Sequence, residues 1–366
     1  MQTNVRNPCF DVMKARYWAH TYTFKRPAGT SRGVLTQKPG YFLEVSVLDA
    51  TGQGECGLLP GLSLDDRPGY EDALLRLCAD LSALESEEWK AWCLTGIPRA
   101  VAQAWKQWPS IFFALEQACL SWKDAFHGGT GKILFPSAFA YGEAPIAING
   151  LLWMGDPCFL SDQMEARLTE GFQCLKMKIG ALDGSAEKAV LTDIRRLSPP
   201  SLELRVDANG AFDIAGALSA MESLAPLSLH SVEQPCSPLD NAGLQKVCLE
   251  GAVPTALDES LIGLTESDDR DRLLDTLRPA YIVLKPSLLG GFSSCEDWIQ
   301  RAELRGIGWW ITSALEGSVG LSAIAQWTAV LPHLMGYQGL GTGSLYTNNL
   351  PPRTFVKEGA LWTHEA

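Results

Sequence analysis

The chain has 366 residues, of which 46% are hydrophobic and 20% charged, and its formal net charge is −12. This length and balance are typical of a globular protein large enough for two domains. The acidic charge argues against a nucleic-acid partner, and the sequence contains no run of about 18 apolar residues that could span a membrane.

The amino-terminal residues MQTNVRNPCFDVMKARYW lack the continuous apolar core of a signal peptide, so we expect a cytoplasmic protein. The ten cysteines form no CxxC pair, and the five histidines form no HxxxH motif. These spacings argue against a zinc site, and the cysteines are interpreted as small buried residues.

The first third of the chain predicts an α+β region. Residues 13–24 are strand-like, and residues 41–57 are predicted to form two strands joined by a turn at Thr51 and Gly52. Helices are predicted at residues 70–85, 97–107 and 110–126, the last because its apolar residues recur at spacings of three and four. The glycine-rich stretch HGGTGK then indicates a helix end and a domain boundary near residue 135.

After this boundary, short apolar runs alternate with helical segments, and each run ends in a polar residue. The seven polar residues are Asn149, Lys178, Asp207, Glu233, Asp258, Lys285 and Ser313. They are separated by 29, 29, 26, 25, 27 and 28 residues, which is the length of one strand, one helix and their loops. An eighth run, YQGLGTGSLY, follows. The repeat predicts a closed parallel barrel, because an open sheet would gather polar strand ends only near one switch point.

Three consecutive strands of this barrel would end in carboxylates, at Asp207, Glu233 and Asp258. Neighbouring strand ends lie about 4.8 Å apart, so the three anions would crowd one sector of the barrel mouth. Oxygen ligands of this kind suit Mg²⁺, with Mn²⁺ as a substitute, and a metal would make the site attractive to a small anionic carboxylate substrate. The alternatives are that each aspartate caps a turn or helix, or that lysines neutralise the cluster without a metal.

Lys176 and Lys178 lie two residues apart in the strand-like CLKMKIG, so both side chains point to the same face. Two neighbouring ammonium groups repel each other, and this repulsion favours the neutral form of one of them. A neutral Lys178 could accept a proton from a substrate.

The motifs KMK, DAN, EQP, DES and LKP, at five consecutive strand ends, resemble those of the enolase superfamily and its muconate-lactonizing subgroup. The resemblance covers essentially the whole chain. It implies a modified (β/α)₇β TIM-like barrel of residues 136–344 with an α+β capping domain, formed by residues 1–135 and completed by about residues 345–366. Members of this superfamily remove a proton next to a carboxylate with a Lys or His base and Mg²⁺. By resemblance, the metal ligands are Asp207, Glu233 and Asp258, and the catalytic residues are Lys178 and Lys285.

Within the subgroup, residues 311–329 and 339–350 resemble the branch that makes 2-succinylbenzoate for menaquinone biosynthesis. The implied reaction is a lyase step, the dehydration of 2-succinyl-6-hydroxy-2,4-cyclohexadiene-1-carboxylate through an enediolate. Lys178 would act as base and then acid, and Lys285 would stabilise the enolate. The alternatives are an N-acylamino-acid (N-succinylamino-acid) racemase, which would use the same two lysines, and a catalytically inactive metal-binding barrel.

The predicted substrate contacts are Lys176, Asn209, Ser313 and Arg32. Arg32 lies in the glycine- and proline-containing segment 25–34, and it is predicted to meet the succinyl carboxylate. Residues 54–63 form a second candidate capping loop, and Glu316 is interpreted as a capping or structural carboxylate.

Overall fold

The structure is a computed structural model that describes residues 12–30, 33–153, 155–180 and 184–364. Its strands are β1 (Lys14–Thr30), β2 (Gly33–Val47), β3 (Ala50–Cys56), β4 (Ile146–Ala147), β5 (Gly150–Leu152), β6 (Cys174–Lys178), β7 (Glu203–Asp207), β8 (Ser231–Glu233), β9 (Thr255–Leu257), β10 (Tyr281–Leu284), β11 (Gly308–Ile311), β12 (Thr354–Lys357) and β13 (Ala360–Thr363). Its helices are α1 (Tyr70–Ser82), α2 (Ser86–Thr95), α3 (Arg99–Trp105), α4 (Pro109–Phe126), α5 (Pro157–Thr169), α6 (Gly184–Leu197), α7 (Ile214–Leu224), α8 (Asn241–Glu250), α9 (Ser267–Leu277), α10 (Pro286–Leu289), α11 (Gly291–Glu303) and α12 (Ser318–Val330). None of the helices in these ranges is long and apolar enough to cross a membrane.

The amino-terminal strands form an antiparallel sheet in the order β1-β2-β3, which packs on α4. The β2–β3 hairpin turns at Leu48 and Asp49, both of which have positive φ, as a tight two-residue hairpin turn requires. The predicted turn at Thr51 and Gly52 is therefore wrong. Gly52 allows close packing instead, since a Cβ at this position would lie 2.0 Å from the carbonyl oxygen of Ala118 in α4.

The predicted helices of the first third are present as α1, α3 and α4, but sequence reasoning missed α2. This ten-residue helix buries only Trp89, Trp92 and Cys93, and the rest of its surface is largely polar. The spacing of these three residues fits one helical face, but a stripe of three is too short to identify a helix by periodicity.

The second half of the chain forms a seven-stranded parallel sheet in the order β5 to β11. Both edges of this sheet contact the eighth predicted run. Gln338 forms a parallel bridge to Ile148 beside β5, and Gly339 forms one to Thr312 beside β11. The run therefore closes the barrel, and the predicted TIM-like barrel with an α+β capping region is confirmed.

The carboxyl-terminal residues return to both parts of the fold. Tyr346 bridges to Phe24 of β1, and the backbone N–H of Thr347 donates to the carbonyl of Thr23 at 2.9 Å. The last hairpin, β12–β13, pairs instead with β4 at the start of the barrel. These contacts attach residues 345–348 to the amino-terminal sheet.

The first turn of helix α4 is hydrogen-bonded to a buried carboxylate. The backbone N–H and the hydroxyl of Ser110 donate to Asp65 Oδ2 at 2.9 and 2.7 Å, which satisfies a helix-end donor that has no partner within the helix. Asp65 has no solvent-exposed surface, and this burial raises the pKa of its carboxyl group to about 6, although the bonds from Ser110 oppose the shift.

We expect Asp65→Asn to remove a pH dependence of stability. The folded-state pKa of about 6 lies above the ordinary value of 3.8, so the native chain binds this proton more tightly than the unfolded chain. The stabilising contribution is fully present below about pH 4 and is lost as the pH rises through about 6. Denaturant unfolding should show the wild-type free energy of unfolding falling relative to Asp65→Asn by on the order of 2 kcal/mol over this range. A difference that does not change with pH would contradict the assignment.

Candidate active site

The polar strand ends meet at one mouth of the barrel. Lys178, Asp207 and Glu233 are the last residues of β6, β7 and β8, and Asp258 and Lys285 directly follow β9 and β10. Parallel strands place their carboxyl ends on the same side of the sheet, so the repeat in the sequence becomes a cluster in space.

Lys176 and Lys178 point to the same side of β6, as the alternation of side chains requires. The ammonium group of Lys176 lies 2.9 Å from Asp207 Oδ2 and 2.7 Å from Glu233 Oε2. Lys178 Nζ lies 3.3 Å from Asp207 Oδ2 and also donates to Asn209 Oδ1. Lys285, on the other side of the mouth, pairs with Asp258.

Asn209 connects this cluster to the next loop. Its φ of 45° lies in the left-handed region, which asparagine tolerates better than most residues. Its backbone N–H donates to Asp207 Oδ1 at 3.0 Å, and its side-chain Nδ2 donates to Glu259 Oε1 at 3.0 Å. The DAN motif therefore fixes the orientation of both Asp207 and the Asn209 oxygen that Lys178 contacts.

Burial and charge act against each other in this cluster. Burial alone would lower the pKa of Lys176, but the carboxylates of Asp207 and Glu233 outweigh it and raise that pKa above the ordinary lysine value. Burial would raise the pKa of Asp207, but Lys176 and Lys178 hold it well below the usual range. The pKa of Glu233 is raised by burial and then by the Asp207 carboxylate.

The three carboxylates are 1–2% exposed, and Oε1 of Glu233 accepts no hydrogen bond from the described part of the chain. A buried carboxylate oxygen without a partner is costly, and a cation would satisfy it. Within the same described residues, no three His, Cys, Asp or Glu side chains are arranged around a common metal position, and lysines contact the carboxylates. The donors are all hard oxygens on adjacent strands, and this chemistry fits Mg²⁺.

A cavity of about 1060 Å³ opens above the cluster. The predicted site residues that line it are Lys176, Lys178, Asp207, Asn209, Lys285 and Ser313. Both predicted capping segments contribute to its wall, through Lys25 and Val34 of the first and residues 59–62 of the second. Glu233 and Asp258 are buried and do not line the cavity, and Arg32 lies outside the described residues.

Ser313 lies in the wall of the cavity on the side of β11. Its hydroxyl lies 2.7 Å from the hydroxyl of Thr342, in the loop after the closing run, and accepts a bond from the N–H of Leu315 at 3.0 Å. Ser313 is buried, and these partners fix the rotamer of its side chain.

Sequence reasoning missed Gln234, the middle residue of EQP. Its Oε1 accepts from the backbone N–H groups of Asp258 and Ser260 at 3.0 and 3.2 Å, and its Nε2 donates to Ser260 Oγ at 2.8 Å. Gln234 thus holds the DES turn and the orientation of Asp258. The signal in the sequence was an amide side chain directly after a carboxylate at a predicted strand end, and the structure buries this glutamine fully.

Comparison with known proteins identifies the family of this site. Residues 160–364 match the family described as Enolase C-terminal domain-like. The chain is 45% identical to an o-succinylbenzoate synthase from Desulfotalea psychrophila, over 95% of this chain and 98% of that relative. It is 29% identical to an o-succinylbenzoate synthase from Vibrio cholerae, over 91% of this chain and 92% of that relative.

Solved structures agree with these sequence relationships. The crystal structure of MenC from Desulfotalea psychrophila matches with a TM-score of 0.85 and 42% identity, over 96% of this chain and 99% of that chain. Muconate lactonizing enzyme from Pseudomonas putida matches with a TM-score of 0.76 and 22% identity, over 95% and 93% of the two chains, a likeness of fold alone. The family match over more than half of the chain and the 45% identity to a relative of nearly the same length show that this chain belongs to the enolase superfamily.

Proposed function

We propose that this chain is an o-succinylbenzoate synthase, a lyase that dehydrates 2-succinyl-6-hydroxy-2,4-cyclohexadiene-1-carboxylate in menaquinone biosynthesis. The observation that carries the proposal is the placement of Lys178 and Lys285 in one cavity, at the ends of β6 and β10. Three strands lie between these ends in each direction around the eight-membered barrel, so the two ammonium groups face each other across the mouth. The 45% identity to the Desulfotalea psychrophila enzyme supports the same reaction.

In this proposal, Lys178 performs both proton transfers. Its neutral amine takes the proton α to the ring carboxylate, which leaves an enediolate. The resulting ammonium then donates that proton to the departing hydroxyl, so water leaves and the ring becomes aromatic. The atoms balance, because one proton and one hydroxide leave the substrate as water.

Lys285 acts from the opposite face of the ring. Its charge is held at the barrel mouth by Asp258, and burial, which would lower its pKa, is outweighed by this carboxylate and others nearby. The ammonium group would stabilise the negative charge of the enediolate and lie over the flat ring.

Asp207, Glu233 and Asp258 would hold Mg²⁺, with Mn²⁺ as a substitute. The bound ion would supply positive charge for the substrate carboxylate. Lys176, Asn209 and Ser313 would contact the substrate, and Arg32 remains a predicted contact to the succinyl carboxylate. We also propose that the division of the chain near residue 135 separates the specificity-determining cap from the catalytic barrel.

The direct test is an ultraviolet assay with the cyclohexadiene substrate and Mg²⁺, run beside a polarimetric assay with an N-succinylamino acid. We expect formation of 2-succinylbenzoate that chelation stops and added Mg²⁺ restores. Fast racemisation of the amino acid without turnover of the cyclohexadiene would overturn the proposal in favour of a racemase.

We expect Lys285→Met to lower kcat by about 100-fold or more, because the variant keeps the length of the side chain but loses the charge that stabilises the enediolate. Exposed Lys132→Met is the matched control, and its kcat should equal that of the wild type. Steady-state kinetics of the two variants at saturating Mg²⁺ decide the question. A kcat for Lys285→Met within threefold of the control would remove Lys285 from the catalytic set.

A further inference from the structure

A second group of buried charges lies between the amino-terminal sheet and the barrel, outside the cavity lining. Lys38 of β2, Glu55 of β3 and Glu316 of the β11–α12 loop each have no exposed surface. The proposed reaction uses none of them. Charges are rarely retained in such positions unless their partners give them a role.

Glu55 connects the amino-terminal sheet to the first turn of a barrel helix. Its carboxylate accepts from the backbone N–H of Gly317 at 2.6 Å and from that of Gly320 at 2.8 Å, at the start of α12. The hydroxyl of Tyr22 on β1 donates to the same carboxylate at 2.8 Å. A carboxylate from the cap thus satisfies helix-end donors of the barrel and complements the helix dipole.

Glu316 connects the start of α12 to the wall of the cavity. Its Oε2 accepts from the backbone N–H of Ala314 at 2.8 Å, and Oε1 accepts from the hydroxyl of Ser287 in α10. Ala314 is the centre of the 313–315 turn, which lines the cavity. Leu315 in this turn has a φ of 63°, an unfavourable conformation for leucine that surrounding contacts must maintain.

Lys38 supplies the countercharge for both carboxylates. Its ammonium group has no hydrogen-bond partner in the part of the chain that the structure describes, and it lies 5.4 Å from the centre of the Tyr22 ring. Burial lowers the pKa of Lys38 below the ordinary lysine value, and Glu55 and Glu316, the largest influences that raise it, do not outweigh burial. Lys38 therefore interacts with both carboxylates through their charge, and among the described residues it forms no direct hydrogen bond to either.

The cap also packs closely against the barrel here. A Cβ on Gly57, in the second capping segment, would lie 2.5 Å from the Cβ of Ser287 and 2.9 Å from the Cγ of Glu316. The capping residues 59–62 that line the cavity follow directly in the chain. Glu316 therefore touches the base of the capping loop and the 313–315 turn at the same time.

We propose that Lys38, Glu55 and Glu316 are positioning residues. They hold the 313–315 turn in place against the docked cap, and the position of this turn sets the affinity for the substrate. This assignment rests on the proposed function only for the identity of that substrate. The cluster contacts the cap side of the cavity, whereas the proposed catalytic residues Lys178 and Lys285 stand at the ends of β6 and β10. Loss of the cluster should therefore affect KM more than kcat.

The test compares Glu316→Gln with Glu116→Gln. Glu116 of α4 is the matched control, because it is also a cap carboxylate that accepts from backbone N–H groups at the start of a barrel helix, here those of Phe292 and Ser293 in α11. We expect Glu316→Gln to raise KM about tenfold with kcat within threefold, and Glu116→Gln to leave both unchanged. An equal rise of KM in the two variants would mean that the cluster contributes only to the general stability of the protein, and it would overturn the proposal.

Hydrogen exchange provides a readout that does not depend on turnover. Backbone amides of residues 312–320 should exchange faster in Glu316→Gln and in Glu55→Gln, whereas Glu116→Gln should affect residues 291–297 only. If the wild type fails to convert the cyclohexadiene, the proposed function fails, and this exchange pattern alone decides the positioning role. Unchanged exchange at 312–320 in folded Glu316→Gln would overturn it.

A double variant tests the role of Lys38, and it keeps the proposal testable if a single variant folds poorly. Lys38→Met leaves two buried carboxylates without their countercharge, so we expect a larger rise in KM and faster exchange than in Glu316→Gln. Adding Glu316→Gln to Lys38→Met removes one of these anions and should restore part of the loss. Strictly additive effects of the two changes would show that the charges do not act together, and this result would overturn the proposed role of the cluster.

Discussion

Lys178→Ala should lower kcat for dehydration of the cyclohexadiene substrate by about a thousandfold or more. The variant removes the only group that we assign to both proton transfers, and Lys176 is the other lysine of the same strand. Two carboxylates, Asp207 and Glu233, hold the Lys176 ammonium at 2.9 and 2.7 Å, so it cannot readily take over as a base. Stopped-flow or steady-state measurement of the ultraviolet signal gives kcat directly.

Two controls keep this result specific. Lys246→Ala removes a lysine on α8 whose side chain is 53% exposed and should leave kcat unchanged. Calorimetry should show that Lys178→Ala still binds Mg²⁺, because Lys178 is not one of the proposed ligands. Undiminished activity in Lys178→Ala would contradict the assignment of Lys178 to the proton transfers. It would favour the alternative of a catalytically inactive metal-binding barrel, with the observed turnover coming from another source.

The barrel could be predicted from the sequence because its signal is repeated. Polar residues at nearly constant intervals, from Asn149 to Ser313, mark successive strand ends, and each further repeat makes a chance pattern less probable. The short closing segment at Gln338 and Gly339 forms only isolated bridges, yet the same period located it. The hairpin turn at Leu48 and Asp49 carries no comparable repeat, so a single glycine nearby was misleading.

The contacts between cap and barrel could not be predicted, because they join residues that are hundreds of positions apart. Glu55 meets Gly317 across 262 positions, and no local pattern records that pairing. Gln234 was missed for a related reason, since its role in holding Asp258 depends on the adjacent strand. Local sequence determines which residues reach the barrel mouth, whereas tertiary packing determines which of their neighbours hold them in place.

Glu233→Gln should weaken Mg²⁺ binding by about 100-fold or more and reduce activity in proportion at limiting Mg²⁺. The amide keeps the shape of the side chain but removes one of three negative charges that would face the ion. Exposed Glu250→Gln on α8, whose side chain is 60% exposed, is the matched control and should retain wild-type affinity. Calorimetric titration of both variants with Mg²⁺ measures the effect, and undiminished affinity would remove Glu233 from the ligand set.

The same variant should separate metal binding from stability. In the metal-free protein, Glu233 Oε1 is a buried carboxyl oxygen that no described residue satisfies, so a neutral amide at this position costs no more free energy to bury. Metal-free Glu233→Gln should therefore unfold at the same temperature as the metal-free wild type or a higher one. Millimolar Mg²⁺ should raise the unfolding temperature of the wild type and not that of the variant, because only a ligand that binds the native state stabilises it. A metal-free variant much less stable than the wild type would instead indicate that Glu233 serves the fold through its ion pair with Lys176.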